Sequence, residues 1–338
     1  MKLSILDYVS IDASANPETA IAEMDQLARR ADELGYEHYW VSEHHGYDSS
    51  ASTAPEMLMA RLASITNRIQ VGSGGVMLPN YSSYKVAESF LTMASYAPGR
   101  INLGVGRSTG ADRQVTLALN DEKHSHLPFE HKVADLLGFL GADHPQGSRY
   151  AGMRAFPRPQ HLPTPWILGA SGSTATLAAE HGIGFTFAHF INASGKGTQA
   201  AQNYRQNFQP SVFLDRPKVI VAVFAAVAET REHAELLEKA FHLWLIDTET
   251  RDPNAGLRSL DDVANHELTP AEIAAIEKNK GRILTGTGEE VYEEIEELAT
   301  AYGADSVMIN PYVPGVDNRI RAIELLAEAR DRREKSEA

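Results

Sequence analysis

The chain has 338 residues, 43% of them hydrophobic and 22% charged, a composition that supports a large packed core and excludes intrinsic disorder. A net charge of −14 disfavours nucleic acid and anionic membrane surfaces as partners, because both select a basic face, and leaves a small molecule as the expected ligand. With no cysteine present, disulfides, thiolate catalysis and cysteine-held zinc or iron–sulfur centres are excluded, so redox chemistry needs a bound cofactor.

Along the chain, short apolar and β-branched runs alternate with amphipathic stretches. Residues 3–8 precede a helical pattern over 17–34, residues 37–41 precede 55–65, and residues 69–73 precede 84–96. The alternation continues with strands over 100–104, 166–169, 184–188, 218–228 and 306–310, with helical patterns over 173–181, 198–208 and 316–330. Near-continuous apolar strands indicate burial on both faces, and eight such βα units predict an α/β fold, a (β/α)8 TIM barrel, over a doubly wound open sheet. Residues 111–165 after strand four and about 241–288 after strand seven break the repeat and are expected insertions, the usual source of lids and substrate walls. The Pro/Gly-rich stretch 145–165 lies in mid-chain and leads straight into an apolar strand, so one domain over 1–338 is expected. No apolar run approaches the roughly 18 residues of a membrane span, and the opening Met1 to Asp7 is too short for a signal sequence, so a cytoplasmic protein is expected.

In a barrel, the residues just past each strand converge on one rim. Strand two ends in Ser42-Glu43-His44-His45-Gly46, a carboxylate and two imidazoles suited to proton exchange near neutral pH; a helix cap or loop packing is the plainer reading. A metal would need a further ligand such as His189, no HExxH spacing exists, and no metal is expected. Strand three runs into Gly72-Ser73-Gly74-Gly75-Val76-Met77, where missing side chains allow close approach of a flat ligand or form a simple bulge. Strand four ends in Gly104-Val105-Gly106-Arg107-Ser108-Thr109-Gly110; Arg107 offers a forked donor to an oxyanion, while the glycine spacing misses the dinucleotide fingerprint by one. Strand five leads through Gly169-Ala170-Ser171-Gly172-Ser173-Thr174 into a helix, either an anion site at the helix start or ordinary capping. With Arg107 one strand away, a bound phosphate is expected there. Strand six ends in Phe187-Ala188-His189-Phe190, a ligand contact or aromatic packing.

Taken together, Trp40-Val41-Ser42-Glu43-His44-His45, Ala54-Pro55-Glu56, the run from Arg68 to Asn80, Lys85-Val86-Ala87-Glu88, Pro98-Gly99-Arg100-Ile101-Asn102-Leu103-Gly104-Val105-Gly106-Arg107 and Phe185-Thr186-Phe187-Ala188-His189 resemble the luciferase-like monooxygenases, within them the single-chain bacterial flavin oxidoreductases. Weaker similarity continues through Leu284-Thr285-Gly286-Thr287 and from Gly303 to Ile309. The resemblance implies a (β/α)8 barrel that takes reduced FMN from a separate NAD(P)H:flavin reductase and uses O2 to oxygenate a small organic substrate, the protein supplying orientation, protonation and water exclusion. Carried over by position, His44 matches the catalytic histidine, with Glu43 expected to fix its loop or ring. Arg107, Ser171 and Thr174 match the phosphate contacts, with Ala170, Gly172, Ser173 and His189 beside the cofactor. Gly74-Gly75 matches the site of a non-prolyl cis peptide against the flavin ring. Two departures stand out: Gly106 occupies the position of the luciferase cysteine and His189 that of a tryptophan, so light emission is not implied. The loop Ser108-Thr109-Gly110-Ala111-Asp112 also departs from the usual Ala-Pro-Gly-Thr-Asp. The family further implies a homodimer through the helices within 53–65 and 83–96, where Met57, Leu58, Leu62, Phe90, Leu91 and Met93 exceed one core-facing stripe. The sister reading is a deazaflavin (F420)-dependent dehydrogenase on the same barrel; a flavin-binding protein without turnover is the non-catalytic one. The substrate is not legible.

Overall fold

In the computed structural model, which describes residues 1–120, 127–192 and 195–337, all the strand pairs are parallel. The strands are β1 (Lys2–Asp7), β2 (His38–Val41), β3 (Gln70–Met77), β4 (Ile101–Gly106), β5 (Thr164–Gly169), β6 (Gly184–Ala188), β7 (Val219–Ala228), β8 (Ile283–Thr287) and β9 (Ser306–Asn310). From β1 to β7 each strand pairs with its chain neighbour, and β9 closes the ring between β7 and β1. The expected eight-stranded barrel is therefore formed, with every residue of β7 buried, as strands covered on both faces require.

The outer layer follows from amphipathic helices with defined starts. In α1 (Pro17–Glu33), Asn16 accepts from Thr19 N at 2.8 Å and Pro17 opens the first turn. Ala20, Met24, Leu27, Ala28 and Ala31 then face the sheet at helical spacing. Burying a side chain the size of Met24 or Leu27 contributes about 1.5–3 kcal/mol, so this one stripe holds the helix down. Further elements are α2 (Pro55–Ile65), α3 (Ser83–Tyr96), α4 (Arg113–Leu119), α5 (Phe129–Leu140), α6 (Gly172–Glu180), α7 (Lys196–Asn207), α8 (Arg231–Thr250), α9 (Leu260–Asn265), α10 (Pro270–Asn279), α11 (Gly288–Tyr302) and α12 (Val316–Glu337). Among the described residues no helix is long and apolar enough to cross a membrane.

The barrel interior below the rim is plugged by two indoles. Trp40 and Trp166 meet edge to face at 5.5 Å, and Trp166 Nε1 donates to Asn102 Oδ1 at 2.7 Å. Gly184 makes room for this plug: a Cβ there would lie 2.1 Å from Trp166. The barrel interior is thus filled below the C-terminal rim.

Several expectations are corrected. A ninth strand, β8, lies inside the second predicted insertion and pairs with Phe224 to Ala228, the outer half of β7. Only Ile283 and Gly286 of its five residues are buried, so no apolar run marked it. The first predicted insertion contains α5, whose Phe129, Val133, Leu136, Leu137 and Leu140 are buried and which packs on α3 as the fourth outer helix. The irregular part of this insertion is the run of residues 141–163 between α5 and β5. After β7, α8 starts ten residues before the expected break. It leans over the rim rather than joining the ring, with Phe241 against Phe224 at 4.8 Å and Trp244 against Tyr312 at 4.4 Å. The apolar surplus on α2 and α3 does not mark a free surface: Leu58, Leu62, Phe90, Leu91 and Met93 are buried in the chain itself and only Met57 is exposed. Helix α5 supplies the second face that α3 covers, with Phe139 edge-on to Tyr84 at 5.0 Å.

Candidate active site

At the C-terminal ends of β1 to β6 lies a cavity of about 650 Å³, with a mostly apolar lining. The strand ends bring together His44, the Gly74-Gly75 peptide, Gly106, Arg107, Ala170, Ser171 and Thr174, all expected at the site. Tyr8, Met77, Leu168 and Phe190 fill the space between them. A second hollow of about 450 Å³ lies on the flank between α3 and α5; its buried cation, Lys132, is spent on the carbonyls of Leu78, Pro79 and Tyr81.

Strand β3 reaches the rim through an irregular step. Its register against β4 shifts between Ser73 and Val76, and the Gly74–Gly75 peptide is cis. Both readings of the glycine run, a bulge and an unusual peptide, therefore coincide. A Cβ on Gly75 would lie 2.8 Å from the Gly104 carbonyl, so the strands themselves demand a glycine here.

The loop after β2 is pinned from several sides. His44 N donates to Ser52 O at 2.9 Å and His45 N to Gly110 O at 2.9 Å. The buried Glu43 carboxylate accepts from Tyr81 Oη at 2.7 Å, pairs with His45 Nε2 at 2.7 Å and accepts from Met77 N at 3.1 Å. Glu43 and His45 thus tie the loops after β2 and β3 together from behind and do not line the cavity. His44 does, with Nδ1 3.1 Å from Ser42 Oγ and its ring 4.9 Å from Tyr8. Its Nε2 has no partner within the described protein. Burial, helped by the neighbouring His45, lowers the His44 pKa from 6.5 to about 4, so the imidazole is neutral at physiological pH.

Opposite stands a feature suited to an anion. Arg107 is exposed at the cavity edge and has no hydrogen bond or ion pair within the described protein. At the end of the neighbouring strand β5, α6 begins at Gly172 without a side-chain cap: Ser171 Oγ is 3.0 Å from Ser173 Oγ, and Thr174 Oγ1 donates to Ser171 O at 2.8 Å. The first-turn N–H groups are left unfilled, so the ordinary capping reading does not apply. Gly172 and Ser173 belong to that first turn without lining the cavity.

His189 departs from its expected place. Ala188 and Phe190 line the cavity, whereas His189 lies outside it with Nδ1 3.0 Å from Tyr302 Oη on α11. Among the described residues no three His, Cys, Asp or Glu side chains converge to hold a metal. The altered loop after Arg107 has a defined shape: Asn80 Nδ2 donates to Thr109 O at 2.8 Å, Gly110 sits at φ +61°, and Asp112 caps α4 through Val115 N at 2.8 Å.

A smaller hollow of about 160 Å³ opens beside His44, sharing Tyr8, His44 and Tyr47 with the main cavity and walled by Trp244, Pro253 and Tyr312. Sequence reasoning missed these aromatics. Tyr8 and Tyr312 follow β1 and β9, so the rim argument used for the inner strands would have found both. Trp244 lies in a stretch without periodic signal.

The profile of the luciferase-like monooxygenases matches residues 1–306. An uncharacterised Bacillus subtilis protein, YwcH, is 39% identical over 97% of this chain and 99% of its own length. The N-acetyl-S-alkylcysteine monooxygenase of the same organism is 35% identical over 97% and 98%. Among solved structures, apo-MsnO8 superposes with a TM-score of 0.89 at 32% identity, over 98% of both chains. At lower identity the barrel alone is shared, with the oxygenating constituent of 3,6-diketocamphane monooxygenase in complex with FMN from Pseudomonas putida (16% identity, TM-score 0.68, 97% of this chain and 96% of that one) and with an F420-dependent secondary alcohol dehydrogenase (18% identity, TM-score 0.61, 97% and 98%).

Proposed function

The chain belongs to the luciferase-like monooxygenase family, and we propose that it is the oxygenase of a two-component system, using reduced FMN from a separate NAD(P)H:flavin reductase to oxygenate a small organic substrate with O2. One observation carries the reading: Arg107, unpaired among the described residues, and the uncapped start of α6 follow the adjacent strands β4 and β5 and line one cavity with a mostly apolar wall. The residues fit the cofactor. Arg107 and the α6 first turn suit a phosphate monoester, and the backbone of Gly74-Gly75 with Leu168 and Phe190 offers flat apolar surface to a ring system. When bound, the reduced flavin supplies the electrons and activates O2.

The protein's own part is placement, protons and dryness. Arg107 with the α6 start fixes the phosphate end, while the neutral His44, whose Nε2 has no partner within the described protein, accepts a proton there from a group in the cavity in one tautomer and donates one in the other. Glu43 acts through the loops it ties and is a positioning residue. Phe190, Ile191 and Ala111 limit water at the mouth. We further propose a homodimer through α2 and α3, where Met57 and Tyr96 are exposed.

The test is FMN titration into wild type and Arg107→Ala. Loss of a charged hydrogen bond of about 1.5–3 kcal/mol raises the dissociation constant roughly ten- to a hundredfold; an unchanged constant refutes the placement. A deazaflavin would use the same phosphate contacts, and the absorbance of the co-purified cofactor separates the two. NADH consumption coupled to a reductase, with and without candidate substrates, separates a monooxygenase from a flavin-binding protein without turnover.

A further inference from the structure

We propose that the small hollow beside His44 seats the molecule to be oxidised, and that it selects an uncharged, compact, apolar compound carrying a hydrogen-bond acceptor. This rests on the monooxygenase reading of the adjoining cavity. The two spaces share Tyr8, His44 and Tyr47, so an occupant of the hollow touches the imidazole that faces the cofactor cavity.

The walls are aromatic. Tyr312 lies 4.4 Å from Trp244 and 5.5 Å from Tyr8, ring to ring, and Tyr8 lies 4.9 Å from His44. Among the described residues no Lys, Arg, Asp or Glu lines the space, so a charged ligand would lose its hydration there without gaining a counter-ion. The lining is nevertheless not inert. Ser50 and Thr248 spend their hydroxyls on the carbonyls of Tyr8 and of Trp244 and Leu245. The phenols of Tyr8, Tyr47 and Tyr312 donate to nothing within the described protein, and none of the three hydroxyls is sealed in the packing. Burial pushes the Tyr8 and Tyr312 phenols well above the usual range, so they remain donors and do not become phenolates. Aromatic walls with unused O–H donors and no charge suit a carbonyl, sulfoxide, ether or thioether on an apolar body. The wall is also fixed in place: Asp247 of α8 accepts from Arg251 at 2.7 Å and from Arg258 at 2.9 Å, which anchors the helix carrying Trp244.

Acetophenone, ethylbenzene and benzoate share a ring and differ in acceptor and charge. Each is titrated into the protein while tryptophan fluorescence is followed; Trp40 and Trp166 are buried in the barrel and do not line the hollow, so the ligand-dependent change in emission is assigned to Trp244 and checked with Trp244→Phe. Acetophenone is expected to bind about three- to tenfold tighter than ethylbenzene, the worth of one neutral hydrogen bond, and at least about tenfold tighter than benzoate. In the Tyr8→Phe/Tyr47→Phe/Tyr312→Phe triple variant the gap to ethylbenzene should shrink to about twofold. Benzoate binding as tightly as acetophenone, an undiminished gap in the triple variant, or an unchanged fluorescence response in Trp244→Phe would each overturn the proposal. FMN affinity measured on the same samples separates the two readings. A protein that holds FMN but shows no preference for acetophenone refutes the hollow alone, whereas one that shows the preference but holds no FMN refutes the monooxygenase reading.

Discussion

The charge state of His44 can be measured directly. In the fold its pKa is lowered from 6.5 to about 4, first by burial and then by His45. The difference of 2.5 units amounts to about 3.4 kcal/mol between the two protonation states, at about 1.36 kcal/mol per unit. Below pH 6.5 the unfolded chain takes up a proton at this position, while the folded chain refuses it until about pH 4. The unfolded state therefore binds more protons throughout that window. The contribution of His44 to stability is fully present above pH 6.5 and is lost as the pH falls through it, by about 2 kcal/mol at pH 5. Two-dimensional NMR of the histidine ring protons, assigned with His44→Phe, should show one resonance titrating near pH 4. Urea unfolding between pH 7 and 5 should lose about 2 kcal/mol less in His44→Phe than in wild type. A titration midpoint near 6.5 would show that water or a counter-charge reaches the ring, and the argument for a neutral imidazole at the cavity would fall.

His44→Ala should leave FMN affinity within about threefold while lowering reductase-coupled turnover by roughly 10²–10⁴, the range for lost proton transfer; turnover that survives there but collapses in His45→Ala would move the proton path. Glu43→Gln weakens bonds to Tyr81, His45 and Met77 N, and denaturant unfolding should register a loss of about 1.5–3 kcal/mol. Gly104→Ala places a Cβ 2.1 Å from Ser73 O and 2.7 Å from Leu168 Cδ1, a backbone clash expected to cost at least about 1–3 kcal/mol in the same assay; wild-type stability would mean that β3 and β4 can part there. Sedimentation at micromolar concentration should give a homodimer, and a monomer would remove α2 and α3 as an interface.

What the sequence disclosed follows from how each signal is generated. Barrel strands are buried on both faces, so their apolar runs are continuous and visible, and the residues after them must gather at one rim whatever the helices do. That is why the sequence alone places His44, Arg107 and Ser171 on one rim, where they line a common cavity. Strand β8 escaped because it is half-exposed and carries two threonines and a glycine in five residues, a pattern shared with ordinary loops. Helix α5 escaped because the Pro/Gly-rich run after it, which has no helix or strand up to β5, drew the whole stretch into one insertion, although its own apolar spacing is regular. The surplus of apolar residues on α3 has a partner within the chain: a helix with two buried faces looks the same in sequence whether the second partner is another subunit or, as for this face, α5, so the dimer rests on the exposed Met57 and Tyr96 and not on that surplus. His189 shows the limit of the rim argument itself. Position past a strand brings a residue to the mouth, but the direction of its side chain decides whether it faces in, and in the turn after β6 a single residue step separates Phe190 in the cavity from His189 on Tyr302. The aromatic wall lies at the opposite limit. Trp244 reaches the site because α8 folds back over the rim, a tertiary event set by Phe241 meeting Phe224 and by the Asp247 ion pairs, and no local period encodes it. The main cavity is built on strand ends and is therefore readable from the chain, while the Trp244 wall of the hollow beside it is built on an insertion and becomes readable only once that insertion is placed.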